Sequence, residues 1–305
     1  MTLHPQAAAA LALWEAGPRP TDPGFGPDGV AAMRADALAA AALEPREPVD
    51  RVEDVDADGV PCRLYVPAGA TRILVFLHGG GFAFGEVETH DGQARRVANR
   101  TRSAVLAVDY RRSPEHPFPA APDDVDTALR WLLTRADALG LDPGRVATIG
   151  DSAGGNLALV AALRNPGALA ATVLVYPFLD PDAGGASYAS ETGGLTRAES
   201  AWYWGAYAAS PADRTHPHLA PLLAPDLAGV PPTLVQVAGE DVLADEDRLL
   251  VRLLREAGVT VEETTYDGMI HGFWRHPELF DAAEPAIAEA GAFLDRHVPE
   301  PHRPV

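Results

Sequence analysis

From Val49 to Tyr266 the chain alternates between short β-branched apolar runs and longer stretches in which apolar residues recur every three or four positions. The runs RVEDV, CRLYV, ILVFL, AVLAV, VATI, TVLVY, TLVQV and VTVEETTY predict eight strands. The first two are close enough to pair as a hairpin. The later ones are separated by helix-length segments such as DVDTALRWLLTRADALG and DEDRLLVRLLREAG, the pattern of parallel crossovers. The expected architecture is an eight-stranded, mostly parallel α/β sheet flanked by helices.

Two segments fall outside this alternation. Residues 1–45 hold two helical patterns separated by GPRPTDPGFGPDG, whose Pro and Gly content forbids a continuous helix. Pro177 to Pro232 is too long for a structureless loop in a compact domain, so a folded insertion is expected at about 178–230. Within it, TRAESAWYWGAYAAS places Thr196 and Glu199 at capping-box spacing and carries Trp202, Tyr203, Trp204 and Tyr207 around more than one helical face. Those aromatics fit either a helix packed on the core or the wall of a substrate pocket, and the helix carrying Trp202, Trp204 and Tyr207 is the expected contributor to that wall. The Ala-rich start MTLHPQAAAALALWEAG lacks a positively charged leader, and Trp14 and Glu15 stand where a cleavage site would be expected, so it reads as a helix. No apolar run approaches the roughly 18 residues of a membrane span.

Composition narrows the function classes. With 305 residues, 47% hydrophobic and 22% charged, the chain has ordinary globular values and enough length for a large core. A formal net charge of -19 repels phosphate backbones and anionic lipid, and no basic stripe offsets it, so neither nucleic acid nor membrane is an expected partner. Cys62 is the only cysteine, which rules out an intrachain disulfide and fits the expected cytoplasmic location.

Four stretches carry candidate chemistry. TIGDSAGGN at residues 148–156 sets Ser152 between Gly150 and Gly154, after a strand and before a helical run. The bland reading is a tight turn in which Ser152 caps the helix. The alternative is a nucleophile elbow, a sharp strained turn that lifts the hydroxyl above the sheet and leaves no room for side chains at the flanking glycines. After the third strand comes HGGGFAFG, whose successive glycines leave backbone amides open to close approach, as an oxyanion site requires. A phosphate cradle fits less well, because no Gly-Lys-Ser/Thr follows. After the seventh strand, GEDVLADED offers Glu240, Asp241, Asp245, Glu246 and Asp247. Asp245 stands where the amphipathic run of Leu249, Leu250, Leu253 and Leu254 begins and is expected to cap it, while Glu246 and Asp247 suit the positive helix end. Asp241 is then nearest the strand end, with Glu240 as its competitor. After the eighth strand, DGMIHGFW puts His271 in a glycine-flanked turn, the position of a general base.

These stretches, together with DYRRSPEHPFPAAPDD at Asp109–Asp124 and GVPPTLVQVAGEDVLADE, resemble the hormone-sensitive-lipase-like esterases, the bacterial family IV lipolytic enzymes of the α/β-hydrolase superfamily. The resemblance covers nearly the whole chain. It implies the α/β-hydrolase fold with a small helical cap, in which residues 1–45 form the N-terminal part of the cap and residues 46–305 the catalytic domain carrying the rest of the cap as its insertion. It also implies a triad of Ser152, Asp241 and His271, with oxyanion donors at Gly80, Gly81 and Ala153 and His78 supporting the loop. Val242 stands where the family has Pro, and Arg112 and Ser113 where it has Leu and Ala.

The implied function is a serine carboxylesterase that hydrolyses short- to medium-chain acyl esters, of about two to eight carbons for a compact aromatic cap, through an acyl-enzyme. This chemistry needs no cofactor, and no cysteine or histidine cluster has metal-ligand spacing. The expected partner is a small-molecule ester, and a homodimer is left open. A pathway-specific deacetylase or acyltransferase would share every motif. A non-catalytic binding member of the fold would be expected to have a damaged triad.

Overall fold

A computed structural model of the chain describes residues 2–15, 17–190 and 193–299. The expected domain end at residue 305 lies outside the described residues. Eight strands form where the β-branched runs predict them: β1 Arg51–Ala57, β2 Val60–Val66, β3 Ile73–Leu77, β4 Ala104–Val108, β5 Val146–Asp151, β6 Ala171–Val175, β7 Thr233–Ala238 and β8 Val261–Tyr266. They make one sheet in the order β1-β2-β4-β3-β5-β6-β7-β8. β2 is antiparallel to both β1 and β4, and every other pairing is parallel. Asp58 and Gly59, at φ 54° and 95°, close the β1–β2 hairpin in the two-residue turn that matches strand twist.

The helices are α1 Pro5–Trp14, α2 Pro27–Ala41, α3 Asp91–Thr101, α4 Ala120–Arg135, α5 Ala153–Arg164, α6 Arg197–Tyr207, α7 Ala244–Glu256 and α8 Ala283–His297. Alternate strand residues build a core on each face of the sheet. On β3, Ile73, Val75 and Leu77 join residues of α4, α5 and α7 on one face, while Leu74 and Phe76 join residues of α3 and α8 on the other. Burial on both faces explains why ILVFL and AVLAV are continuously apolar rather than alternating. β8 closes the sheet as an edge strand, and its polar VEETTY is half-buried throughout.

Because β3, β5, β7 and β8 run parallel, the turns that follow them share one edge of the sheet. The 178–230 insertion covers this edge with α6 and short 3₁₀ turns, and α6 begins with the expected capping box between Thr196 and Glu199. The N-terminal segment reaches the same helix: Arg19 pairs with Glu199 at 3.2 Å, and the Phe25 ring meets Trp202 edge-on at 5.5 Å.

Candidate active site

The chain leaves β5 and enters α5 through Ser152, whose backbone sits at φ 55° and ψ -121°, a strained conformation for a residue with a side chain. The glycines around it are required by space. A Cβ on Gly150 would lie 2.3 Å from the Gly154 carbonyl oxygen, and one on Gly154 would lie 1.9 Å from that of Leu77. Ser152 makes no side-chain cap of α5, so the bland reading of this turn fails. Its Oγ instead lies 2.9 Å from Nε2 of His271.

The other imidazole nitrogen of His271, Nδ1, is 2.6 Å from Oδ2 of Asp241. Asp241 is therefore the carboxylate on the histidine, and Glu240 is not. Its second oxygen accepts the Leu243 amide at 3.1 Å, which ties the carboxylate to the turn that opens α7. Burial works against a charge on His271, but the Asp241 charge and hydrogen bond outweigh it and hold the imidazole above its ordinary pKa. The turn after β8 is pinned from the insertion, where the Gly193 carbonyl accepts the His271 amide at 2.8 Å. Val242, in place of proline, is buried and leaves this geometry intact.

Asp245 does not cap α7. The N-cap position belongs to Leu243, without a side-chain cap, and Asp245 accepts the Ser187 amide at 2.9 Å. The sequence argument failed because the helix starts two residues earlier than a cap at Asp245 implies, which moves Asp245 inside the first turn. Glu246 and Asp247 lie in the first turn of α7, at its positive end as expected, and both are buried. Glu246 accepts the Leu179 amide and the Tyr188 hydroxyl.

The loop after β3 lies beside Ser152. Gly80 and Gly81 take φ of 117° and 59°. A Cβ on Gly81 would lie 2.1 Å from the Tyr203 ring, so the loop passes directly beneath α6. Among the described residues, no hydrogen bond uses the amide of Gly80 or Gly81. The Ala153 amide, at the first position of α5, has no intrahelical acceptor. His78 is buried between the rings of His90 and Tyr110, at 4.8 and 4.3 Å, and burial lowers its pKa to about 3. A neutral imidazole there, with Nδ1 2.8 Å from the Gly79 carbonyl, braces the loop.

A cavity of about 200 Å3 opens over Ser152 and His271, walled by Phe178, Leu195, Glu199 and Tyr203. Helical spacing sorts the aromatics of α6. Glu199 and Tyr203, four apart, face the cavity, while Ser200, Trp204 and Tyr207 are buried. Trp204 packs tilted against Phe178 at 4.3 Å, and Tyr207 stacks on Phe82 at 3.7 Å. The expectation that Trp202, Trp204 and Tyr207 supply the pocket wall is corrected, since among the aromatics of α6 the cavity is lined by Tyr203, and the sequence reading passed over Phe178, Leu195 and Arg275, which also line it. The helical period identifies Tyr203 once one cavity-facing residue is known, but no local pattern marks the other three.

A family model described as the alpha/beta hydrolase fold matches residues 74–275. An ethyl acetate hydrolase of Pseudomonas putida is 35% identical over 255 residues, covering 80% of each chain. The carboxylic ester hydrolase LipN of Mycobacterium tuberculosis is 39% identical over 275 residues, covering 82% of this chain and 73% of that one. Among solved structures, an esterase from the bacterial hormone-sensitive lipase family superposes with a TM-score of 0.84 at 31% identity, covering 98% of this chain and 100% of that one.

Proposed function

The chain belongs to the α/β-hydrolases, among the hormone-sensitive-lipase-like esterases, and from that premise we propose that Ser152, His271 and Asp241 are its nucleophile, general base and orienting acid. The protein is a carboxylesterase. The observation that carries the assignment is the continuous chain from Ser152 Oγ to His271 at 2.9 Å and on to Asp241 at 2.6 Å, beside open amides.

In the acylation step Nε2 of His271 takes the Ser152 proton as Oγ attacks the ester carbonyl, and the charge that develops moves onto the carbonyl oxygen. The amides of Gly80, Gly81 and Ala153 are the proposed donors to that oxygen, each worth roughly 2.7–4 kcal/mol in the transition state because they are aimed before charge appears. Asp241 holds Nδ1 protonated and stabilises the imidazolium. His271 then returns its proton to the leaving alcohol, and a water activated by the same imidazole releases the acid.

We propose further that the N-terminal segment of residues 1–45 and the insertion at about 178–230 form one cap over the catalytic domain, joined through the Arg19–Glu199 and Phe25–Trp202 contacts. The cavity of about 200 Å3 supports short acyl groups, at the lower end of about two to eight carbons, since ligand pockets for drug-sized molecules run to roughly 300–1,000 Å3. A cytoplasmic site of action rests on the free, buried Cys62, and a homodimer on the open edge of β8. No helix among the described residues is long and apolar enough to cross a membrane.

The test is inhibition by an organophosphonate followed by mass spectrometry. The expected outcome is one phosphonyl group on Ser152 with activity lost in proportion. A label elsewhere, or inactivation without a label, refutes the assignment.

A further inference from the structure

Arg275 is the odd charge in the reaction cavity. It ends the 3₁₀ turn Phe273–Arg275 that follows His271, and it lines the cavity beside Ser152 and His271. The carboxylates and histidines of the lining are already engaged. Glu199 pairs with Arg19 at 3.2 Å and accepts from Thr196, His271 binds Asp241, and His276 lies 2.9 Å from Glu278. Asp151 accepts the Gly79 amide at 3.1 Å. Arg275, by contrast, has no carboxylate within ion-pairing distance among the described residues, and its one side-chain hydrogen bond there runs from Nη2 to the Thr89 carbonyl at 3.0 Å. A guanidinium offers five N–H donors in a fixed fork, so most remain unused. Its position is held from behind, because Arg96 donates to the Arg275 carbonyl at 3.0 Å.

Arg275 also lines a second, outer cavity of about 430 Å3, whose wall carries Glu44, Glu47, Glu278 and Glu284 as well as apolar residues such as Leu43, so a substrate carboxylate is favoured at the guanidinium and not beyond it. Arg275 is the residue that the two cavities share. Charge on Arg275 is felt at the reaction centre. Burial raises the Asp151 carboxyl above the ordinary range, and Arg275 is the leading charge that pulls it back.

Resting on the esterase reading of this site, we propose that Arg275 selects esters that carry a carboxylate, such as half-esters of small dicarboxylic acids, by pairing with that group while Ser152 attacks the ester carbonyl. An arginine fork matches a carboxylate with two parallel hydrogen bonds, and a neutral isostere leaves those donors unused. The carboxylate can belong to the acyl part or to the alcohol part, and both contain the chemistry that Arg275 would recognise.

The experiment compares near-isosteric pairs in the full chain. The acyl arm sets monoethyl succinate against ethyl 4-methylpentanoate, and the alcohol arm sets 3-acetoxypropanoate against 3-methylbutyl acetate. Arg275→Gln is expected to lower the charged-to-neutral ratio of kcat/KM by about tenfold or more on at least one arm, as loss of a hydrogen-bonded charge pair does. Arg275→Lys keeps the charge but loses the fork, and is expected to retain only part of that ratio. Ratios that move less than about threefold in Arg275→Gln on both arms overturn the proposal, because a structural loss lowers both members of a pair alike. Should Arg275→Gln not fold, the wild-type chain decides: a preference for the neutral ester of more than about a hundredfold on both arms overturns it. Hydrolysis of the neutral esters with unmoved ratios removes this proposal alone, whereas hydrolysis of no ester removes the esterase reading with it.

Discussion

Tyr203 and Trp204 are neighbours on α6, yet their substitutions by alanine are expected to do different things. Trp204 is fully buried against Phe82 and Phe178, with ring centroids at 5.5 and 4.3 Å. Removing its indole leaves a cavity that the surrounding rings cannot fill, so Trp204→Ala should cost about 3–5 kcal/mol. In a chain of this size that is a fall in Tm of roughly 6–10 °C, at about 2 °C per kcal/mol. Tyr203 is half-buried, and its ring lies over Gly81 at the wall of the reaction cavity. Tyr203→Ala should cost only about 1–2 kcal/mol of stability but add most of a phenol ring to a cavity of about 200 Å3. One methylene in an apolar pocket is worth about 1–3 kcal/mol, so kcat/KM for octanoate relative to acetate should rise by roughly tenfold or more in that variant. The assay is kcat/KM over a 4-nitrophenyl ester series from acetate to dodecanoate, with thermal unfolding followed on the same preparations. A changed length profile in Trp204→Ala with an unchanged one in Tyr203→Ala would show that the assignment of faces on α6 is wrong.

Asp241→Asn should lower turnover by about 10^4, because the imidazole loses its correct tautomer, whereas Asp245→Asn should mainly weaken the contact to Ser187, at about 1 kcal/mol; kinetics and melting of both variants check this, and the reverse pattern reassigns the acid. His271 must be neutral to act as base and its pKa is raised, so the acid limb of kcat/KM should lie above the ordinary imidazole value of 6.5. A limb below that value contradicts the reading. Asp247 is fully buried with neither carboxylate oxygen partnered among the described residues, and burial, with Glu246 and Asp241 nearby, holds its pKa well above the ordinary range. A carboxyl raised in this way contributes stability that is present below the ordinary carboxylate pKa and is lost as pH rises toward the folded-state value. Asp247→Asn should therefore gain on the wild type in Tm between about pH 4 and pH 8; an advantage that does not grow with pH refutes the burial argument.

The parts of this protein that were legible in the sequence are those whose causes are local. Eight strands followed from β-branched runs, and ILVFL and AVLAV are apolar along their whole length because β3 and β4 are buried on both faces. The turn at Ser152 and the loop at Gly80 and Gly81 were legible because their backbones exclude side chains, and that exclusion is written as glycine. The resemblance carried the reading further, to a particular triad. Tertiary packing decided the rest. The order β2-β4-β3 depends on which strands meet, which no single run encodes. Asp241 faces His271 while Glu240 does not, because the turn into α7 sets the direction of each side chain, and a start two residues earlier also removed the cap expected of Asp245. Tyr203 came to the cavity and Trp204 to the core because α6 is rotated by what it packs against, and a helix with aromatics on several faces does not specify that rotation itself. Arg275 reads as one more surface arginine until the fold brings the turn after β8 against Ser152, since the identity of a cavity wall depends on residues far apart in the chain meeting in space.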